Sequence, residues 1–258
     1  MNPKDTLKET YSVLSKASYD FYHHGLETAK KELSSYSQTK DYRIDPKLSN
    51  KNAVVLEKGN DIVISYRGTD LKNPSDILAD AEILLGRDKI KIFLNDRFDE
   101  ADQLYQKVKN ENPDKNITLT GHSLGSAEAI YVGTKHNQKS ISFNEGTSPL
   151  DALLSHFGSK ETNNKQIVYI TAKDIISNLT ILEPYDVRYV SAKNDLNFLS
   201  HSLNYFLPEK ETELPNYLKP IYMPRKPKKI NHYADLNNQF GIDYFKDLAR
   251  QRSLSLLV

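Results

Sequence analysis

The residues with the clearest chemical potential are Gly121-His122-Ser123-Leu124-Gly125. An apolar, β-branched run, Ile117-Thr118-Leu119-Thr120, precedes them, and a helix-forming stretch, Ser123 to Val132, follows. Between a strand and a helix, the G-x-S-x-G pattern describes a nucleophile elbow, a tight turn that presents a serine hydroxyl at a helix N-terminus. The serine of such a turn has strained backbone angles. Side chains two residues to either side would collide with it and with neighbouring strands, so Gly121 and Gly125 are needed. Ser126, Ala127 and Ala129 extend the small-residue pattern and let the helix lie close on a sheet. The helix dipole and its free N–H groups favour negative charge that develops beside Ser123. A serine placed this way suits covalent acyl transfer.

Elements able to position that turn surround it on both sides. Over the first forty residues, Leu7, Tyr11, Leu14, Phe21 and Tyr22 recur at helical steps. The runs Ala53-Val54-Val55-Leu56 and Ile62-Val63-Ile64-Ser65-Tyr66 flank the turn pair Gly59-Asn60 and predict a hairpin. Ile77, Leu78, Ala81, Ile83, Leu84 and Leu85 fit a helix, whereas Ile90, Ile92 and Leu94 alternate like a short strand. Phe98, Ala101, Leu104, Tyr105 and Val108 space as an amphipathic helix ending near Pro113. Strands are expected at Ile141–Phe143, Ile167–Ile170 and Val187–Val190, with a helix over Leu150–Phe157. Continuous apolar strands separated by helices predict an α/β fold with a mostly parallel central sheet and helices on both faces. No Gly/Ser- or Pro-rich linker interrupts residues 50–206, so residues 1–258 read as a single domain. Beyond Phe206 prolines punctuate the sequence (Pro208, Pro215, Pro220, Pro224, Pro227). Residues 207–258 are therefore expected as a C-terminal strap packed on that domain, closing in a short amphipathic helix with Phe240, Ile242, Tyr244, Phe245 and Leu248.

Composition narrows the chemistry. The 258 residues include no cysteine, which excludes disulfides, thiolate nucleophiles and cysteine-ligated metals. A formal charge of +1 supplies no global field for nucleic acid, which is not an expected partner. The mean hydropathy of -0.62 and the lack of any apolar run of 18 residues argue against a spanning helix. Met1 to Thr10 has no apolar core of a secretory signal, so a cytoplasmic location is expected, with export by a route that needs no signal peptide left open.

Tyr66-Arg67-Gly68-Thr69-Asp70 lies some fifty residues before the Gly121–Gly125 motif. In this order the two motifs resemble the lipase class 3 family of α/β-hydrolases, which share a G-H-S-L-G elbow and an upstream aromatic-R-G-[ST] strand end. The resemblance extends over roughly residues 50–206 and implies the α/β-hydrolase fold. It also implies an oxyanion hole. One donor is the backbone N–H of Leu124, next to the nucleophile, and the other is Thr69, brought in by a sharp turn at Gly68. His122 completes the elbow motif. The triad order of this fold, Ser then acid then His, assigns the remaining roles. His23, His24 and His122 precede Ser123, and His136 and His156 precede the best acid, Asp174, which ends the strand Gln166–Ala172. Asp186 and Asp195 are reserves, Asp186 being expected at the wrong end of a strand. The Asp174-Ile175-Ile176-Ser177-Asn178-Leu179 stretch keeps the Asp and Leu of the family's D-x-V-P-x-L-P pattern without its prolines. His201, in His201-Ser202-Leu203-Asn204-Tyr205, matches the family's H-x-L-x-x-Y pattern in part, with His232 as the alternative. His136 reads as solvated surface. Two further departures stand out: Ser126 replaces a glycine after the elbow, and Asn95-Asp96-Arg97-Phe98 keeps only the Phe of an H-x-G-F stretch.

The implied activity is cleavage of carboxylic esters of acyl lipids, glycerides or phospholipids, through an acyl-enzyme on Ser123, with no metal and no organic cofactor. Two other readings stay open: a catalytically idle, lipase-like binding or scaffolding protein, and a serine hydrolase of non-lipid acyl bonds. Ile83-Leu84-Leu85-Gly86 and Ile90–Leu94 are lid candidates, with buried core the favoured alternative. Arg225-Lys226-Pro227-Lys228-Lys229 offers peripheral contact with an anionic lipid surface, or a solvated basic turn.

Overall fold

The apolar runs around Gly59-Asn60 form the expected hairpin: β2 (Ala53–Lys58) pairs antiparallel with β3 (Asp61–Tyr66), and β1 (Arg43–Asp45) pairs antiparallel with β2. The structure, a computed structural model, describes residues 3–68, 86–145, 165–171, 186–190 and 202–208. From β3 onward the sheet is parallel. It continues through β4 (Asn116–Ser123), β5 (Ser140–Glu145), β6 (Gln166–Thr171) and β7 (Asp186–Val190), in spatial order β1 to β7. The C-terminal ends of β3 to β7 therefore share one edge, where sites in open α/β sheets form.

Helices cover both faces. Helix α1 (Pro3–Ser34) carries Val13, Leu14 and Ala17 on one stripe, which packs with Ile44, Val54, Leu56 and Val63. At Gly25, φ 79° and ψ 177° interrupt the helical backbone, a conformation open to a residue without a Cβ. The alternate residues of the same strands, Val55, Ile62, Ile64 and Tyr66, point to the opposite face. There they meet α2 (Gly86–Glu111) through Leu104, Tyr105 and Val108, and α3 (Leu124–Lys135) through Ala129 and Val132. Fully burying each such aliphatic side chain contributes about 1.5–3 kcal/mol. Farther along the sheet, Ile141, Phe143 and Tyr169 pack with Leu203 and Phe206 on the α1 face. The Ser12 hydroxyl on α1 donates to the Phe206 carbonyl at 2.9 Å and fastens that segment.

The α/β class, the mostly parallel sheet and its covering on both faces are as expected. One element differs: Ile90, Ile92 and Leu94 lie within α2 rather than a strand. The alternation there runs for only five residues, and Ile90, Leu94 and Phe98 are equally spaced for a helix that continues through Ala101. The helices expected near 77–85 and 150–157, all of the lid candidate Ile83–Gly86 but its last residue, and the strap from residue 209 lie outside the described residues. The chain divides into two compact units, Met1–Lys219 and Pro220–Val258, and every described residue belongs to the first. Among the described residues no helix is long and apolar enough to cross a membrane.

Candidate active site

Strand β4 is buried along Leu119-Thr120-Gly121-His122 and ends abruptly at Ser123, where its register against β5 shifts. Ser123 has φ 57° and ψ -129°, a region that residues with a Cβ rarely occupy, and α3 begins at Leu124. Such strain costs of order 1–3 kcal/mol and persists only where surrounding structure enforces it. The enforcing contacts are visible. A Cβ on Gly121 would overlap the backbone of Gly125, and a Cβ on Gly125 would overlap the Tyr66 carbonyl. The two glycines thus let strand, turn and helix nest together, as the sequence pattern required. The geometry is that of a nucleophile elbow, with a partly exposed serine at the mouth of a helix.

The end of β3 lies against this turn. A Cβ on Gly68 would stand 3.1 Å from the Ser123 Cβ and would overlap the His122 carbonyl and the Tyr19 hydroxyl. The chain that leads to Thr69 therefore passes beside the serine. Tyr19, on α1, ties the two pieces together. Its hydroxyl accepts the Gly68 N–H at 3.1 Å and lies 3.0 Å from His122 Nδ1. Burial pushes the Tyr19 phenol well above its ordinary pKa, so it remains a neutral hydroxyl. His122, which the motif alone treats as part of the elbow, thus connects the turn to the N-terminal helix. Leu124 is buried, and its N–H belongs to the first turn of α3, where helix N–H groups lack intrahelical acceptors.

A second layer braces the β3 end. Arg67 is buried, donates from Nε to the Lys51 carbonyl at 2.9 Å, and stacks its guanidinium 3.9 Å from the Tyr22 ring centre. The Arg67 carbonyl accepts from Arg97 Nη2 on α2 at 2.5 Å, and that same Nη2 lies 2.8 Å from Glu128 Oε1 on α3. Glu128 and Arg97 are 1% and 6% exposed at their side chains, so the pair is dry. Burial raises the Glu128 carboxyl to about 8, against the opposing pull of Arg97 and Arg67.

Thr69, Asp174 and His201 lie outside the described residues. The flanking elements are placed: β6 ends at Thr171, three residues before Asp174, and Ser202 follows His201 directly. The β6 end is held by Asn144 on β5, whose Oδ1 accepts the Thr171 N–H at 2.8 Å. Ser202 caps the 3-10 turn Leu203–Tyr205 by accepting from the Asn204 N–H. Asp186 begins β7 at the opposite edge of the sheet from Ser123 and pairs with Arg188 at 2.6 Å, as expected of the reserve acid. His136 is a correction. It caps the C-terminal end of α3 and pairs with Asp102 of α2, with its side chain 25% exposed, instead of standing free in solvent. Sequence reading missed Tyr19, Arg97 and Glu128. Among the described residues, no cluster of three His, Asp or Glu side chains is placed to hold a metal ion.

Three comparisons bear on this geometry. The family model described as lipase (class 3) matches residues 63–181, a stretch that holds most of β3, the Arg67-Gly68-Thr69 motif, the elbow and β6. No curated protein matches the chain at a significant level. Solved structures similar to it include a lipase of Yarrowia lipolytica, 17% identical, covering 74% of this chain and 80% of that one with a TM-score of 0.46. A lipase of Rhizopus microsporus var. chinensis is 15% identical over 69% of this chain and 70% of its own, TM-score 0.44. A Rhizomucor miehei lipase in its propeptide complex is 15% identical over 80% and 78%, TM-score 0.44.

Proposed function

From a chain whose residues 63–181 belong to the lipase class 3 family, we propose a serine hydrolase that cleaves carboxylic esters of acyl lipids through an acyl-enzyme on Ser123. The observation that carries this reading is the backbone of Ser123, strained at φ 57° between a strand and a helix, with Gly68 pressed against it. Strain of this kind has no packing purpose that a glycine would not serve better, so it argues for a required hydroxyl.

The chemistry follows from the assigned roles. His201 takes the Ser123 proton as the oxygen attacks the ester carbonyl, and Asp174 holds the imidazole in the matching tautomer. The carbonyl oxygen becomes negative and is met by the N–H of Leu124 and by Thr69. The tetrahedral adduct collapses, the proton passes from His201 to the leaving alcohol, and the acyl group stays on Ser123. Water, deprotonated by His201, then releases the fatty acid and restores the serine. Chain order supports the two assignments: Asp174 follows the end of β6 by three residues, and His201 immediately precedes the segment that Ser12 fastens to α1.

A fluorophosphonate probe tests the reading. Purified protein should label stoichiometrically, Ser123→Ala should not label, and Asp174→Asn and His201→Ala should slow labelling by about 10³-fold or more. Well-folded wild type that fails to label would overturn the assignment. Fatty-acid release from short esters, triglycerides and phospholipids would then define the substrate within the lipid class.

A further inference from the structure

We propose that Arg97 and Glu128 form a positioning clamp that holds the oxyanion strand end at its catalytic distance from Ser123. This rests on the serine-hydrolase reading above and assigns the two residues a part in that site. Three observations carry it. First, the contact chain is continuous: Glu128 on α3 lies 2.8 Å from Arg97 on α2, and Arg97 donates to the carbonyl of Arg67 at 2.5 Å. Arg67 directly precedes Gly68, whose backbone adjoins the Ser123 Cβ. Second, Glu128 stands five residues after Ser123 on the helix that the elbow opens, so nucleophile and clamp share one rigid element. Third, the pair is nearly inaccessible to solvent. Burying a guanidinium and a carboxyl in a dry interior costs more than packing alone requires, since apolar residues of similar volume would fill the space without that desolvation.

Tyr19 holds the N–H side of the Arg67–Gly68 peptide, and Arg97 fixes its carbonyl side. Arg67 adds a further restraint through its own side chain, which donates from Nη1 to the Gly68 carbonyl at 3.0 Å. The peptide between Arg67 and Gly68 and the carbonyl of Gly68 are therefore both engaged by guanidinium groups. Because an oxyanion donor works only at 2.7–3.1 Å from the developing charge, a shift of about 1 Å at this strand end would remove most of its effect. The H-x-G-F stretch of the resembled family would place no such side chain at position 97, so the clamp distinguishes this chain from that pattern.

The test compares labelling rates with a fluorophosphonate and steady-state hydrolysis of a short p-nitrophenyl ester. Four proteins are compared with wild type: Arg97→Met, Glu128→Gln, the double variant Arg97→Met with Glu128→Leu, and Asp102→Asn. Asp102 belongs to the other polar cluster between α2 and α3, so it reports on helix packing alone. Arg97→Met should slow labelling and lower kcat by 10- to 100-fold, with KM changed by less than about three-fold, and Glu128→Gln should show a smaller loss of the same kind. The double variant restores an apolar, well-packed interior and should melt near wild type while staying slow. Asp102→Asn should label at the wild-type rate. Labelling of the double variant within two-fold of wild type overturns the clamp, as does a loss in Asp102→Asn equal to that in Arg97→Met. Arg97→Lys supplies a fifth point: it keeps the charge without the fork and should recover only part of the rate. Wild type that does not label at all would instead sink the hydrolase reading.

Discussion

Helices α2 and α3 are joined by two acid–base clusters, one at each end of α3, and the two solve the same electrostatic problem in opposite ways. Near the elbow, Glu128 faces Arg97 with both side chains buried. The contact is close but poorly aligned, since neither Glu128 Oε1 nor Arg97 Nε makes a hydrogen bond of good geometry. Desolvation dominates, and the Glu128 carboxyl is pushed up to about 8. At the far end, Asp102 is also nearly buried, and burial again pushes upward, but it is outweighed. His136 Nε2, Lys135 Nζ at 3.0 Å and Gln106 Nε2 at 2.7 Å converge on its two oxygens and hold the carboxyl below its ordinary value. Burial alone therefore does not fix the charge state. The number of aligned donors does, and the cluster with few of them is the one beside the serine.

The largest expected effect breaks the elbow-side pair. Glu128→Ala leaves the buried Arg97 guanidinium without its carboxyl partner and should cost about 3–5 kcal/mol of unfolding free energy. Replacing both residues, Arg97→Met with Glu128→Leu, should be neutral or stabilising. Urea titrations of the two variants make the check. Equal losses would mean that the pair is a net structural asset, and the contrast between the two clusters would fail.

A next smaller effect is a pH slope. The folded-state pKa of Glu128 lies above its unfolded value of about 4.5, so the folded chain holds an extra proton between those limits. Stability contributed at this site is full below about pH 4.5 and is lost as pH rises towards 8, by up to about 1.4 kcal/mol per pH unit. Glu128→Gln cannot ionise, so the stability of wild type relative to it should fall steadily from pH 5 to 8. A difference that stays constant over that range would show that Arg97 keeps Glu128 ionised throughout.

What the sequence revealed divides along the same line as the chemistry. The elbow was legible because its chemistry is local: strand, glycines and serine fall within ten residues, and Gly121 and Gly125 have no other reason to flank Ser123. The hairpin was legible from the two apolar runs, Ala53–Leu56 and Ile62–Tyr66, on either side of the turn pair Gly59-Asn60. Contacts across long separations were not. Tyr19 reaches His122 across 103 residues, and Arg97 reaches Arg67 across 30, with no periodicity to announce either. Glu128 sits in a helix of small residues, where a lone carboxylate is expected to face solvent, and only the packed structure shows it 1% exposed. Strand β1, Arg43-Ile44-Asp45, has one apolar residue and nothing to distinguish it from a loop. His136 was misjudged for the same reason as Glu128: its partner, Asp102, is 34 residues away.

The smaller effects sharpen the comparison from the other cluster. Asp102→Asn removes an acceptor for charged donors and should cost about 1–3 kcal/mol near neutral pH. The sign of its pH dependence is the reverse of that at Glu128. A depressed pKa contributes stability above the unfolded value, 3.8, and that contribution disappears as pH falls through the folded value. Wild type and Asp102→Asn should therefore converge in stability as pH falls below the ordinary carboxylate range, in acid titrations followed by circular dichroism. Lys135→Met should matter least, under about 1 kcal/mol, because the Lys135 side chain is 45% exposed and the ion pair is screened. That loss should shrink further in 1 M salt, whereas the loss in Glu128→Ala should not, since salt does not reach a buried pair. If added salt rescues both variants alike, the elbow-side pair is wet, and the dry interior that separates the two clusters is absent.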